Sequence, residues 1–310
     1  MDMASKPDWK LMASNRSATA VQVIPLILKW SPTILNRRLM FLIGIIMWFR
    51  RGNSVRVLES NLAGVLGDGK ARDQIRSISR RNVISYIYCL SEICELPSMS
   101  ADDLFSRVRI DGIERITDCL NSGTGLILAL PRMGNVELVA RWLAENVAPF
   151  TTVSAQYKSM AMNQILSHAR SSFSMEIVHA GPHQIAHKMR GSRLNFYTLS
   201  ERLRAGGLVC LIGDSDPTGN GLDVEFFQHR VRFPAGPATL SIHTGAPIIT
   251  AAVWRGDGIY MGKLYEELPI PCENSRTRNI KALTQAMATA FEEPIRNHPD
   301  DWHHFNRLVQ

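Results

Sequence analysis

Several familiar signatures are missing from this 310-residue sequence. It has no Gly-rich loop ending in Lys-Ser or Lys-Thr, which removes a P-loop phosphate cradle. Gly123 and Gly125 precede an apolar run instead of coming after one, so a dinucleotide fingerprint is absent too. No Gly-x-Ser-x-Gly stretch offers a hydrolase nucleophile elbow. The five cysteines (Cys89, Cys94, Cys119, Cys210, Cys272) are odd in number and none pair at zinc-like spacing. A disulfide framework or metal knuckle is therefore not expected, and a reducing, cytoplasmic location is. His303 and His304 are adjacent and cannot converge on a metal from one helix face, so they read as surface or core histidines and no metal is expected.

Long hydrophobic runs are missing as well. The most apolar stretch, Leu39 to Phe49, covers eleven residues, short of the ~20 that span a bilayer. It starts too late for a signal peptide and is followed by Arg50-Arg51 rather than small residues.

What is present is an uneven charge. Residues 1–60 hold nine Lys and Arg against three Asp and Glu, so +6 of the formal +7 lies in the first fifth of the chain. Arg37-Arg38 and Arg50-Arg51 bracket the apolar run. One reading is a helix lying in a membrane interface, with Arg37, Arg38, Arg50 and Arg51 on lipid phosphates, Phe41 in the apolar face, and Trp48 and Phe49 at headgroup level. The other is a buried core helix with solvated ends. Nucleic acid fits less well, because the basic residues flank an apolar block without polar or aromatic readers between them.

In chain order, a helix is expected over 18–30, interrupted near Pro25, then the apolar run, then amphipathic helices from Arg56 to Leu66 and from Ala71 to Glu95. The break at Leu96-Pro97-Ser98 reads as a boundary between a helical segment, 1–100, and a core, 101–310. After it, short apolar runs alternate with helix-period stretches. Strands are expected at 108–110, 126–130, 150–153, 175–178, 208–212 and 248–254, and helices at 113–120, 136–146, 160–170, 196–205 and 278–296. That alternation predicts an α/β fold, a mostly parallel sheet covered by helices on both faces, with the N-terminal helices facing a membrane.

Three motifs carry the chemistry. The first is Arg132-Met133-Gly134-Asn135-Val136-Glu137, where a buried strand enters a helix. The second is Gly213-Asp214-Ser215-Asp216-Pro217, straight after another buried strand. The third comprises Val224-Glu225-Phe226-Phe227, Phe233-Pro234-Ala235-Gly236-Pro237-Ala238 and Thr244-Gly245-Ala246. Here the sequence resembles the lysophospholipid acyltransferase superfamily, in the branch of the lipid A late acyltransferases and phosphatidylinositol mannoside acyltransferases. The resemblance covers most of the chain, and Pro-Ala-Gly-Pro-Ala is its most specific block.

The resemblance implies acyl transfer from a thioester to a hydroxyl or amine acceptor, a glycolipid or a biosynthetic intermediate. Coenzyme A or an acyl carrier protein is then a co-substrate, and no bound cofactor is expected. In such enzymes a histidine acts as general base and a carboxylate orients it. That histidine falls on Arg132, the Gly-Asn on Gly134 and Asn135, and the acidic residues on Glu137 and Asp214. Arg170 falls on a phosphate-binding arginine, Asp216 joins the substrate-binding set, and a strand glutamate falls on Ala155. Backbone donors at the helix N-terminus suit the thioester oxyanion.

Arginine does not give up its proton near neutrality, so Arg132 cannot be the base. One reading is altered chemistry, in which Arg132 holds a carboxylate, a phosphate or the oxyanion. The proton then goes to Asp214, Glu137, His179 or His183. The other is a non-catalytic, membrane-associated lipid- or acyl-binding relative in which Arg132 pairs with Glu137 or Asp214. A hydrolase or cyclase on the same scaffold is a third. The basic N-terminus would meet anionic lipid or an acidic carrier protein, at the cytoplasmic face of the membrane.

Overall fold

The computed structural model describes residues 33–67, 71–154, 160–171, 173–179, 185–214, 216 and 221–308. The helix expected over 18–30, Ala155 and His183 lie outside these residues. Three long helices come first: α1 (Thr33–Arg50), α2 (Asn53–Leu66) and α3 (Arg72–Glu95). A short 3-10 turn at Leu96–Ser98 stands where Pro97 breaks the helical pattern. Helix α4 (Ala101–Ser106) is next, its first turn capped by Ser100, whose side chain accepts from the Asp103 N–H.

Strands and helices then alternate through β1 (Val108–Asp111), α5 (Glu114–Asn121), β2 (Leu126–Leu130), α6 (Val136–Asn146), β3 (Phe150–Ser154), α7 (Met160–Arg170) and β4 (Met175–His179). Next come α8 (Ile185–Arg204), β5 (Leu208–Ile212), β6 (Leu222–Phe226), β7 (His229–Phe233), α9 (Gly236–Thr244), β8 (Ile248–Arg255), β9 (Tyr260–Glu267) and α10 (Arg276–Asn297). Seven strands form one sheet in the order β1-β9-β8-β2-β5-β3-β4, and only the β8–β9 pair is antiparallel.

The period of two along β2 divides the core between the sheet's faces. Leu126 and Leu128 pack with Ile87, Leu90 and Ile93 of α3 and with Leu138, Val139 and Trp142 of α6. Ile127 and Ala129 pack on the other side with Leu199 and Leu203 of α8, Leu240 of α9 and Met287 and Phe291 of α10. Each buried Leu or Ile of β2 contributes about 1.5–3 kcal/mol of transfer free energy, so β2 is anchored from both faces. Helix α3 shares this core, so the helical segment before residue 100 packs directly on the sheet.

Three features depart from the expected pattern. Helix α8 begins at Ile185, eleven residues before the expected start at Phe196. Strands β6 and β7 form a separate antiparallel hairpin, turned by Phe227 (φ 50°) and Gln228 (φ 65°). Strand β9 extends the sheet beside β1. The hairpin's alternation, Leu222-Asp223-Val224-Glu225-Phe226, carries the period of a half-buried strand.

Helix α1 is amphipathic in its burial. Met40 and Gly44 face α3, and a side chain at Gly44 would meet the Ile84 backbone at 3.0 Å. The opposite face leaves Phe41, Leu42, Ile46 and Phe49 in solvent, with Phe49 80% exposed. Trp48 turns inward instead: its indole N–H donates to Ser79 Oγ (3.0 Å), and the Arg76 guanidinium lies 5.3 Å from its ring centroid. Arg51 pairs with Glu59. Of the expected lipid contacts, Phe41, Phe49, Arg37, Arg38 and Arg50 are therefore exposed, while Trp48 and Arg51 are engaged within the protein. Arg37, Arg38, Phe41 and Leu42 line an open groove of 410 Å³ with Tyr88. Among the described residues no helix is long and apolar enough to cross a membrane.

Candidate active site

Parallel pairing of β2 with β5 aligns Leu130 with Ile212, so the segments leaving the two strands emerge side by side. Gly213 N–H donates to Leu130 O (2.8 Å), extending the ladder one step past the strands. A side chain at Gly213 would press on the Phe291 ring at 2.9 Å, so only glycine lets α10 approach here. The next residues on each side are Arg132 and Asp214, 82 positions apart in sequence. The Arg132 backbone N–H donates to Asp214 Oδ2 at 3.0 Å. The structure thus brings Arg132 and Asp214 together.

Asp214 is 1% exposed, and a buried carboxylate needs compensation. Trp302 supplies some through its indole N–H, 2.9 Å from Oδ2. His304 Nδ1 stands 3.7 Å from the same oxygen, at ion-pair reach and short of a formed hydrogen bond. The other oxygen, Oδ1, is buried without a hydrogen-bond partner among the described residues. Burial pushes the Asp214 carboxyl up, but His304, the Arg132 guanidinium and the Trp302 N–H outweigh it, holding the group below its ordinary 3.8.

Arg132 itself is half-buried. No hydrogen bond or ion pair holds its guanidinium among the described residues, and neither Glu137 nor Asp214 is locked to it. Glu137, on the first turn of α6, gives both carboxylate oxygens to Arg170 at the end of α7, with Arg170 Nε 2.8 Å from Oε2. Both partners are largely buried, so this bidentate pair fastens α7 to α6.

The loop between Arg132 and α6 is set by its own residues. Gly134 adopts φ +62°, and a Cβ there would stand 2.7 Å from Val253 O. Its N–H donates to Asp301 O (2.9 Å). Asn135 caps α6, its Oδ1 accepting from Leu138 N–H (3.1 Å) while its Nδ2 donates to Glu92 Oε2 (3.1 Å). Tyr260 donates its hydroxyl to the same Glu92 oxygen. Gly134 and Asn135 therefore shape the site's floor. Asp216 Oδ2 accepts from Gly221 N–H.

The C-terminal segment completes the site. Residues 299–301 form a 3-10 turn, and Trp302 bridges to Met133. His303 N–H donates to Arg132 O (2.8 Å). Asn82 Nδ2 holds Trp302 O (2.8 Å), and Asn61 Nδ2 holds His304 O (2.8 Å). In the sequence the adjacent histidines raise only the question of a metal, and Trp302 goes unread. Its signal is the indole N–H, which seeks an acceptor whenever the ring is buried. His303 and His304 are core histidines, at 9% and 4% exposed. No group of three His, Cys, Asp or Glu converges on a metal position among the described residues.

The family model described as bacterial lipid A biosynthesis acyltransferase matches residues 8–310. A phosphatidylinositol mannoside acyltransferase of Mycolicibacterium smegmatis is 33% identical over 254 residues, 82% of this chain and 79% of that protein. The phosphatidylinositol mannoside acyltransferase of Mycobacterium tuberculosis is 32% identical over 260 residues, 83% and 77% of the two chains. A family match across nearly the whole chain, with relatives of that name covering four fifths of it, leads to one assignment: the chain belongs to the bacterial lipid A biosynthesis acyltransferase family and is an acyltransferase.

Proposed function

We propose that this acyltransferase moves an acyl group from a coenzyme A or carrier-protein thioester onto a hydroxyl or amine of a glycolipid-type acceptor. The names of its relatives support a glycolipid. The observation that carries the chemistry is the pairing of Arg132, a guanidinium with no protein partner among the described residues, with Asp214, a buried carboxylate with one free oxygen.

The roles depend on what each group can still do. Glu137 is occupied by Arg170 on both oxygens, which leaves Asp214 as the carboxylate available to a proton. The acceptor X–H attacks the thioester carbon as its proton passes to Asp214 Oδ1, and the C–X bond forms. The tetrahedral oxyanion, or a phosphate beside it, meets the Arg132 guanidinium, whose fixed charge suits a developing anion. The C–S bond then breaks, and the leaving thiolate takes the proton back from Asp214. No metal or bound cofactor enters the scheme. An amine acceptor, more nucleophilic once neutral, needs less help from so weak a base.

In this reading the outer face of α1 rests on anionic lipid at the cytoplasmic face. Phe41, Leu42, Ile46 and Phe49 enter the interface, and Arg37, Arg38 and Arg50 meet phosphates. The same charge suits an acidic acyl carrier protein.

The test is thiol release from acyl-coenzyme A and acyl-carrier thioesters, presented with mannosylated phosphatidylinositol and with amine acceptors. Release that depends on an acceptor is expected. No release across the panel overturns the proposal.

A further inference from the structure

Among the described residues, His304 Nδ1 is a buried polar atom without a hydrogen-bond partner, and it stands 3.7 Å from Oδ2 of the Asp214 carboxylate. Buried polar atoms are almost always paired, so an unpaired ring nitrogen beside the site's carboxylate calls for a use. We propose that His304 is a positioning residue for Asp214: it holds the carboxylate in the orientation in which it can take the acceptor's proton. The inference rests on the reading of Asp214 as the proton-accepting carboxylate.

Placement supports it. His304 reaches Asp214 from the C-terminal segment, below the Arg132 loop, and three contacts fasten that segment to the loop: Gly134 N–H to Asp301 O, His303 N–H to Arg132 O, and the Met133–Trp302 bridge. The imidazole stacks on Trp302 at 5.1 Å and 21°, and Trp302 itself donates to Asp214 Oδ2. Asn61 Nδ2, from α2, pins the His304 carbonyl. The ring is thus held in one place beside the carboxylate, and a movement under about 1 Å closes the 3.7 Å gap to a hydrogen bond.

The test compares wild type with His304→Gln, which keeps polarity and approximate size but replaces the ring. His304→Gln is expected to lose about tenfold in kcat, with KM for the thioester little changed. A folded His304→Gln with the wild-type kcat, or with a change confined to KM, overturns the proposal. A readout free of turnover separates this from the function itself. The ring NMR signals of His304 in the full chain are expected to shift position in Asp214→Asn. Unchanged signals sink the pairing even if acyl transfer stands, and the same measurement decides the matter if His304→Gln does not fold or no acceptor turns over.

Discussion

Replacing Asp214 by Asn probes the centre of the site with little change of shape. Arg132 N–H and Trp302 Nε1–H both donate to one oxygen, Oδ2, so the single amide oxygen of Asn can keep both bonds. The amide nitrogen takes the place of Oδ1, where no partner waits. Each retained bond changes from charge-assisted to neutral, a loss of about 1 kcal/mol apiece. The loss of attraction to Arg132 and His304 is offset in part by the desolvation that a neutral amide escapes. At neutral pH the variant is therefore less stable by about 1–2 kcal/mol, a fall in Tm of about 1.5–3 °C.

The pH dependence is the sharper part. The folded Asp214 carboxyl lies below its unfolded value of 3.8, so its contribution is fully present above that value and disappears as pH falls through the folded value. Asn does not titrate. Urea unfolding of both proteins from about pH 7 down to about pH 3 should therefore show a gap that is constant at first and narrows below about pH 4. A gap that stays constant to the lowest pH, or widens with acid, refutes the view of Asp214 as a stabilised, ionised carboxylate. Acyl transfer by the variant should fall by about 100-fold or more, whatever its stability.

Other substitutions separate chemistry from scaffolding. Arg132→Ala removes a side chain with no protein partner among the described residues, so calorimetry should show a change within about 0.5 kcal/mol. Activity should nonetheless drop by about 100-fold, the order seen when an oxyanion donor is lost. Gly134→Ala combines a left-handed backbone with a Cβ 2.7 Å from Val253 O, and thermal melts should show a loss of about 2–4 kcal/mol. Phe41→Ser with Phe49→Ser exchanges two exposed rings of α1 for small polar groups. Co-sedimentation with anionic vesicles should weaken by more than about tenfold while the melting curve stays put.

Much of this arrangement is legible in the residues, for identifiable physical reasons. The run Leu126-Ile127-Leu128-Ala129-Leu130 has no charge and ends at Pro131, and Asn135 caps the helix beyond it, so β2 and α6 can be placed to the residue. The hairpin β6–β7 alternates apolar with charged residues, a period of two short enough to hide inside the motifs around it, and strand β9 carries no such clean alternation. At the site, the meeting of Arg132 with Asp214 comes from two buried strands pairing in parallel. The capture of Glu137 by Arg170 does not, because it depends on how α7 packs across α6. Trp302 reaches Asp214 from 88 residues away through a non-repeating segment, and no periodicity announces such a return. The inward turn of Trp48 is hidden for a related reason: within the uniformly apolar run Leu39 to Phe49, only the partner helix decides which face turns inward.

Where the acyl group goes is the deciding question. The direct measurement is the stoichiometry of thiol released against acylated acceptor formed, followed by mass spectrometry with a long-chain acyl thioester and a mannosylated phosphatidylinositol. Transfer predicts one acylated lipid for each thiol, abolished in Asp214→Asn and Arg132→Ala. Thiol release matched by free fatty acid, or release that both variants retain, contradicts it.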